Sequence, residues 1–104
     1  MDDFCVVMTT ASSDETVQRV IDAALGQRLA ACVQALPVNS HYVWKGEIRR
    51  EAETLLFFKA KTADYAALEE TIRAVHDYET PEIIRLDISA GLPAYLAWIV
   101  DSTR

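Results

Sequence analysis

Residues Asp3 to Thr10 (DFCVVMTT) are apolar at nearly every position, without alternation. A run apolar on both faces marks a central strand covered from two sides. Ser12, with Glu15 three residues on, forms a capping box, and Val17, Val20, Ile21, Ala24 and Leu25 then recur at helical spacing. Together they predict a helix over about Asp14 to Arg28. Ala31 to Lys45 and Ile48 to Lys61 are extended in character and joined by a turn at Lys45-Gly46-Glu47. Pro37 is confined to a bulge or edge position, because it cannot donate to a ladder on both sides. Thr62 is placed to cap a second helix whose inward stripe is Tyr65, Leu68, Ile72 and Val75, ending near His76 before Pro81. Glu82 to Ile88 alternates, with Ile84, Leu86 and Ile88 on one face and Arg85 and Asp87 on the other, as a half-buried strand does. Leu92 to Val100 predicts a short final helix.

Strand, helix, strand, strand, helix, strand is the order of the α+β, ferredoxin-like (βαββαβ) sandwich, an antiparallel sheet with two helices on one face. Here it carries a long hairpin between the second and third strands and a short C-terminal helix, all within a single domain over residues 1–104. Fifteen strand residues reach about 50 Å, whereas a domain of this size has a radius of gyration near 13 Å. The hairpin must therefore bend or project. Its distal part carries Tyr42, Val43, Trp44 and Ile48, which a projecting arm cannot bury in its own core. A second subunit is the simplest cover.

Composition sharpens this picture. Hydrophobic residues make up 51% of the 104, although a chain so short buries only about 60 to 65% of its unfolded surface. Ten Lys and Arg against sixteen Asp and Glu give a net charge of −6, and no basic cluster extends beyond Arg49-Arg50. A nucleic-acid partner is therefore not expected. No apolar run reaches membrane-spanning length and no signal-peptide pattern opens the chain, so it reads as cytoplasmic, with Cys5 and Cys32 as reduced thiols.

Candidate chemistry gathers after the second helix, where His76, Tyr78, Glu79 and Glu82 fall within seven residues. Imidazole and carboxylate suit divalent transition metals, and Cys32 offers a thiolate. The spacing matches no closed zinc motif. The plainer alternative has His76 capping a helix C-terminus, favourably with its dipole, and the carboxylates solvated. No nucleophile is paired with a base, and there is no phosphate loop or elbow motif, so no catalytic residue is assigned and the chain does not read as an enzyme. His41 reads as a solvated or interface histidine, Trp44 and Trp98 as core or interface aromatics, and Cys5 and Met8 as packing.

Several strings narrow the reading: Leu29-Ala30-Ala31-Cys32-Val33, Tyr42-x-Trp44-x-Gly46, His76-x-Tyr78-Glu79-Thr80-Pro81-Glu82-Ile83 and Tyr95-Leu96-Ala97-Trp98-Ile99. In combination, from about residue 4 to residue 99, they resemble the CutA divalent-cation tolerance family. The resemblance implies a ferredoxin-like subunit, a tight homotrimer built by pairing hairpin strands, a likeness to PII signalling proteins, a role in copper or divalent-metal tolerance, and neither an established catalytic activity nor an organic cofactor. It further implies a metal site from a first-strand cysteine and two adjacent histidines after the second helix. This chain departs from that pattern, with Val75 beside His76 and Met8-Thr9 in place of the cysteine, while Asp77 adds a carboxylate where the family usually has proline. The expected metal ligands are His76, Glu79 and Glu82, and the expected small-ligand residues are Cys32, Tyr42, Lys61 and Tyr78, converging in a cleft between subunits. The alternative implied is a PII-like signalling or scaffold trimer linked to metal indirectly.

Overall fold

The computed structural model describes residues 3–104. Its elements run β1 (Phe4–Ala11), α1 (Asp14–Gly26), β2 (Cys32–Trp44), β3 (Glu47–Lys61), a 3₁₀ turn (Thr62–Asp64), α2 (Tyr65–Val75), β4 (Ile83–Ile88) and α3 (Pro93–Ser102). The strands form one sheet in the order β2-β3-β1-β4, with every neighbouring pair antiparallel. This is the α+β, ferredoxin-like arrangement the element order predicts. Pro37 lies on edge strand β2, where its missing N–H costs no ladder bond on the open side.

Helices α1 and α2 cover one face. Val20 and Ala24 from α1 and Leu68 and Ile72 from α2 close over Cys5, Val7, Leu56, Phe58 and Ala60 of the sheet, all buried. Strand β1 is apolar on both sides, as its sequence indicates, but the two sides have different fates. Pairing places Phe4, Val6 and Met8 beside Ile88, Leu86 and Ile84 of β4 and beside Phe57 of β3, on the face turned away from α1 and α2. Leu86 there is 53% exposed, and Ile84 and Leu36 of the same face are also exposed. The apolar side of β4 is thus the outer side of this sheet.

Several element ends shift by a residue or two, and at three places the local geometry gives the reason the structure differs from the sequence reading. The helix cap is Ser13, not Ser12: β1 continues through Ala11, and Ser13 is the residue whose extended backbone (φ −105°, ψ 142°) lets Oγ accept the Thr16 N–H at 3.1 Å. Glu15 instead pairs with Arg19 one turn on. Helix α1 stops at Gly26, and Arg28 takes the left-handed conformation (φ 55°) as the Leu29 N–H bonds back to the Ala24 carbonyl at 3.0 Å. Thr62 caps nothing through its side chain: it opens the 3₁₀ turn, donates its N–H to the Asp3 carbonyl at 2.9 Å, and leaves its hydroxyl buried.

The hairpin turns on two residues, Lys45 (φ 50°) and Gly46 (φ 80°), with Trp44 directly opposite Glu47. Two successive positive φ values are the signature of a type I′ turn, which suits strand twist and favours glycine at the second position. The molecule is 45 Å in its longest dimension with a radius of gyration of 14.2 Å, so the arm projects. At its tip Val43 and Ile48 face each other across the ladder at 70% and 79% exposure.

Candidate functional site

Beyond the end of β1 the hairpin continues alone, and the segment from His76 into β4 folds against it. Between them lies a cleft of about 600 Å³. One wall is the hairpin, contributing Ser40, Tyr42, Trp44, Arg49, Glu51 and Glu53; the other is the segment from Asp77 to Glu82. Strand register puts the hairpin residues on a single face, since Ser40 opposes Glu51, Tyr42 opposes Arg49, and directly opposed residues share a side. It is the same face that carries Leu36, Leu55, Phe57, Ile84 and Leu86.

His76 fixes the second wall. Its side chain is fully buried. Nδ1 accepts the Tyr78 N–H at 3.1 Å, so Nε2 carries the proton and donates to the Thr10 carbonyl at 2.8 Å. Both ring nitrogens of His76, whose imidazole the sequence offers as a metal ligand, are engaged within the chain. The C-cap role is held by its backbone, whose N–H bonds the Ile72 carbonyl at 3.0 Å, rather than by its ring. The Asp77 carboxylate lies 3.5 Å from Nδ1 and becomes an ion-pair partner only if the ring is protonated.

Two tyrosines each hold a carboxylate. The Tyr42 hydroxyl donates to Glu51 at 2.7 Å and the Tyr78 hydroxyl donates to Glu53 at 2.6 Å. The bond to Glu51 raises the Tyr42 phenol above its ordinary value, and burial followed by the bond to Glu53 raises Tyr78 well above it. The Tyr78 ring also rests on His76, with centroids 4.7 Å apart.

Of the expected site residues, Tyr42, Tyr78, Glu79 and Glu82 line this cleft together with Asp77. Cys32 and Lys61 do not meet them within one chain. Cys32 lies eight residues from Ser40 along β2, about 26 Å, at the end where burial and the nearby Cys32 raise the Tyr95 phenol. Lys61 lies ten residues from Glu51 along β3, about 33 Å, with Nζ 2.5 Å from the Arg104 carbonyl oxygen and 3.9 Å from Asp64 Oδ2. Cys5 is a free thiol buried on the helix side, and burial pushes its pKa up. Among the described residues no three of His, Cys, Asp and Glu from one chain are disposed to hold a metal ion. Glu51, Glu53 and Arg49 belong to the cleft but were not expected there; the signal for them is the two-residue turn, which sets the register that brings them beside Tyr42.

Fold and site together define a class: a ferredoxin-like domain with a projecting hairpin and an acidic, aromatic-walled cleft along it. The family profile described as CutA1 divalent ion tolerance protein matches residues 5–102. The divalent-cation tolerance protein CutA of Thermus thermophilus is 38% identical over 99 residues, covering 94% of this chain and 96% of its own. Protein CutA 1, chloroplastic, of Oryza sativa is 38% identical over 100 residues, covering 95% of this chain, which spans only 56% of that relative's length. The crystal structure of CutA from Xylella fastidiosa superposes with a TM-score of 0.94 at 32% identity, covering 98% of this chain and 99% of its own. The chain belongs to the CutA family of divalent-cation tolerance proteins. Among its described residues no helix is long and apolar enough to cross a membrane.

Proposed function

We propose that the protein acts as a non-enzymatic, cytoplasmic homotrimer of divalent-cation tolerance, copper included, binding a metal ion or small ligand at clefts bordered by neighbouring subunits. One observation carries this reading: the cleft and the uncovered apolar residues lie on one face of the sheet. Copies that bury Leu36, Ile84 and Leu86 against one another necessarily approach the cleft. Closed symmetry satisfies such a face and the free edge of β2 at once, where an open arrangement would polymerise.

Within this reading Glu79 and Glu82, on the segment that His76 braces, are the metal-facing carboxylates, with Tyr42 and Tyr78 lining the ligand space. His76 holds the wall and ligates only if it gives up Tyr78 or Thr10. A hard or borderline cation needs more donors than one wall supplies, so the shell is completed across the subunit boundary by a neighbour's Cys32, while a neighbour's Lys61 borders the small-ligand space. Calorimetric titration of Zn²⁺ and Cu²⁺ into wild type and the Glu79→Gln/Glu82→Gln double variant tests it. Micromolar binding to wild type, lost in the variant, is the expected result; equal binding to both removes the site.

A further inference from the structure

The end of the hairpin differs in charge from the rest of the chain. Residues 42–50 hold three of the ten Lys and Arg (Lys45, Arg49 and Arg50) and one of the sixteen Asp and Glu (Glu47), so the tip carries +2 and the remainder −8. Glu47 and Arg49 face each other at 3.5 Å, while Lys45 and Arg50 take part in none of the ion pairs among the described residues.

The tip is also apolar on both of its faces. Directly opposed residues share a side, so Val43 and Ile48, both strongly exposed, lie on one face and Tyr42 and Trp44 on the other. A cation stands one step behind the outermost pair on each face, Arg50 opposite His41 and Arg49 opposite Tyr42. Lys45 occupies the turn itself, its Nζ 5.6 Å from the centroid of the Trp44 ring.

The arm holds this tip clear of the acidic body. Ala11, the last residue of β1, pairs with Thr54, and Thr54 pairs with Pro37. Val38 to Trp44 then carry the hairpin about 23 Å further, well over twice the screening length of about 8 Å at physiological ionic strength. The negative charge of the helices and of the sheet's far end is thus screened from whatever the tip touches.

A protein partner seated on one face of a two-stranded ribbon would leave the other apolar pair in water, whereas a bilayer interface surrounds the tip and takes both. From Tyr42 to Trp44 the strand rises about 7 Å, within the depth of about 5–10 Å to which interfacial segments sink. Tyrosine and tryptophan favour that level, and Lys and Arg stems reach back from it to the headgroups. We propose that the arm tip docks peripherally on an anionic lipid surface, with Val43, Trp44 and Ile48 in the interface and Lys45, Arg49 and Arg50 on the lipid phosphates. The proposal uses none of the cleft carboxylates and stands apart from the metal reading.

Flotation with vesicles of about three parts phosphatidylcholine to one of phosphatidylserine, and with pure phosphatidylcholine, tests it. Wild type, Lys45→Glu/Arg50→Glu and Val43→Ser/Ile48→Ser are compared, none of these four residues lining the cleft, with sedimentation run on each. Wild type is expected to float with the anionic vesicles only. Each double variant should bind them at least about tenfold more weakly, the scale of losing two surface cations or two buried aliphatic groups, while sedimenting as wild type does. Wild type that binds no anionic vesicle overturns the proposal. So does either variant binding as wild type does, which would leave charge alone, as an acidic protein partner would read it, or a different surface as the contact. A Val43→Ser/Ile48→Ser protein that drops to smaller species makes the tip a contact between copies of this chain and overturns the proposal whatever its vesicle binding.

Discussion

His76 is a neutral brace between two distant segments. Its ring spans from the Thr10 carbonyl at the end of β1 to the Tyr78 N–H at the start of the cleft wall. His76→Ala leaves both groups buried and unpartnered, which is expected to cost about 2–4 kcal/mol of stability, read as a lowered urea midpoint. A loss below about half a kcal/mol, the range of ordinary surface substitutions, would contradict the bracing role. The tyrosines make a second residue-scale prediction. Unfolded phenols ionise near about pH 10; in the fold Tyr42 and Tyr78 are raised by their carboxylate partners and burial, and Tyr65 is pushed up to about 12, chiefly by its hydrogen bond to Glu69. A raised folded value favours the protonated form, so this contribution is complete below about pH 10 and is lost as pH rises towards the folded values. The urea midpoint should fall above about pH 10, and less steeply in Tyr78→Phe than in wild type. At this scale the sequence reveals the cluster His76, Tyr78, Glu79 and Glu82 through spacing alone. It hides what His76 does, because the deciding partner, Thr10, is 66 residues away, and a backbone carbonyl leaves no mark in residue identity.

Elements were legible wherever periodicity is long, and slipped where a single backbone conformation decides. The stripe Leu68 and Ile72 and the alternation in β4 are visible as patterns, and both elements form. The start of α1 depends instead on which of two adjacent serines adopts extended φ and ψ, and the continuation of β1 through Ala11 gives that role to Ser13. Ser13→Ala is accordingly expected to destabilise the protein by about 1 kcal/mol in thermal or urea unfolding, and an unchanged midpoint would refute the assigned cap. The hairpin turn shows the same sensitivity with larger consequences. A turn counted over Lys45, Gly46 and Glu47 leaves register open, whereas the observed two-residue turn fixes Ser40 against Glu51 and Trp44 against Glu47. That register turns a stretch of alternating charges, Arg49, Glu51 and Glu53, into one wall of the cleft. The outer side of β4 is a case where the pattern reads correctly but does not say what covers it: Ile84, Leu86 and Ile88 alternate as buried residues do, yet α1 and α2 lie on the other face.

For the whole molecule, the apolar excess of the composition has three addresses. They are the outer sheet face of Leu36, Phe57, Ile84 and Leu86, the tip of the arm with Val43 and Ile48, and the start and outer side of α3 with Leu92, Tyr95 and Trp98. Contiguous uncovered apolar surface of this kind is uncommon on isolated chains, and here it lies beside both a free strand edge and the cleft. The fold was legible at this scale because element order dictates a ferredoxin-like sheet. The cleft was only partly so: Tyr42, Tyr78, Glu79 and Glu82 come together within one chain, while Cys32 and Lys61 lie at the far end of the hairpin and reach a cleft only if another copy brings them. Sedimentation equilibrium at micromolar concentration, on wild type and Leu86→Asp, tests this most directly. The wild type should sediment at three times the 11.6 kDa chain, about 35 kDa, with Leu86→Asp shifted towards smaller species. A wild type that remains a stable, folded monomer would contradict the account.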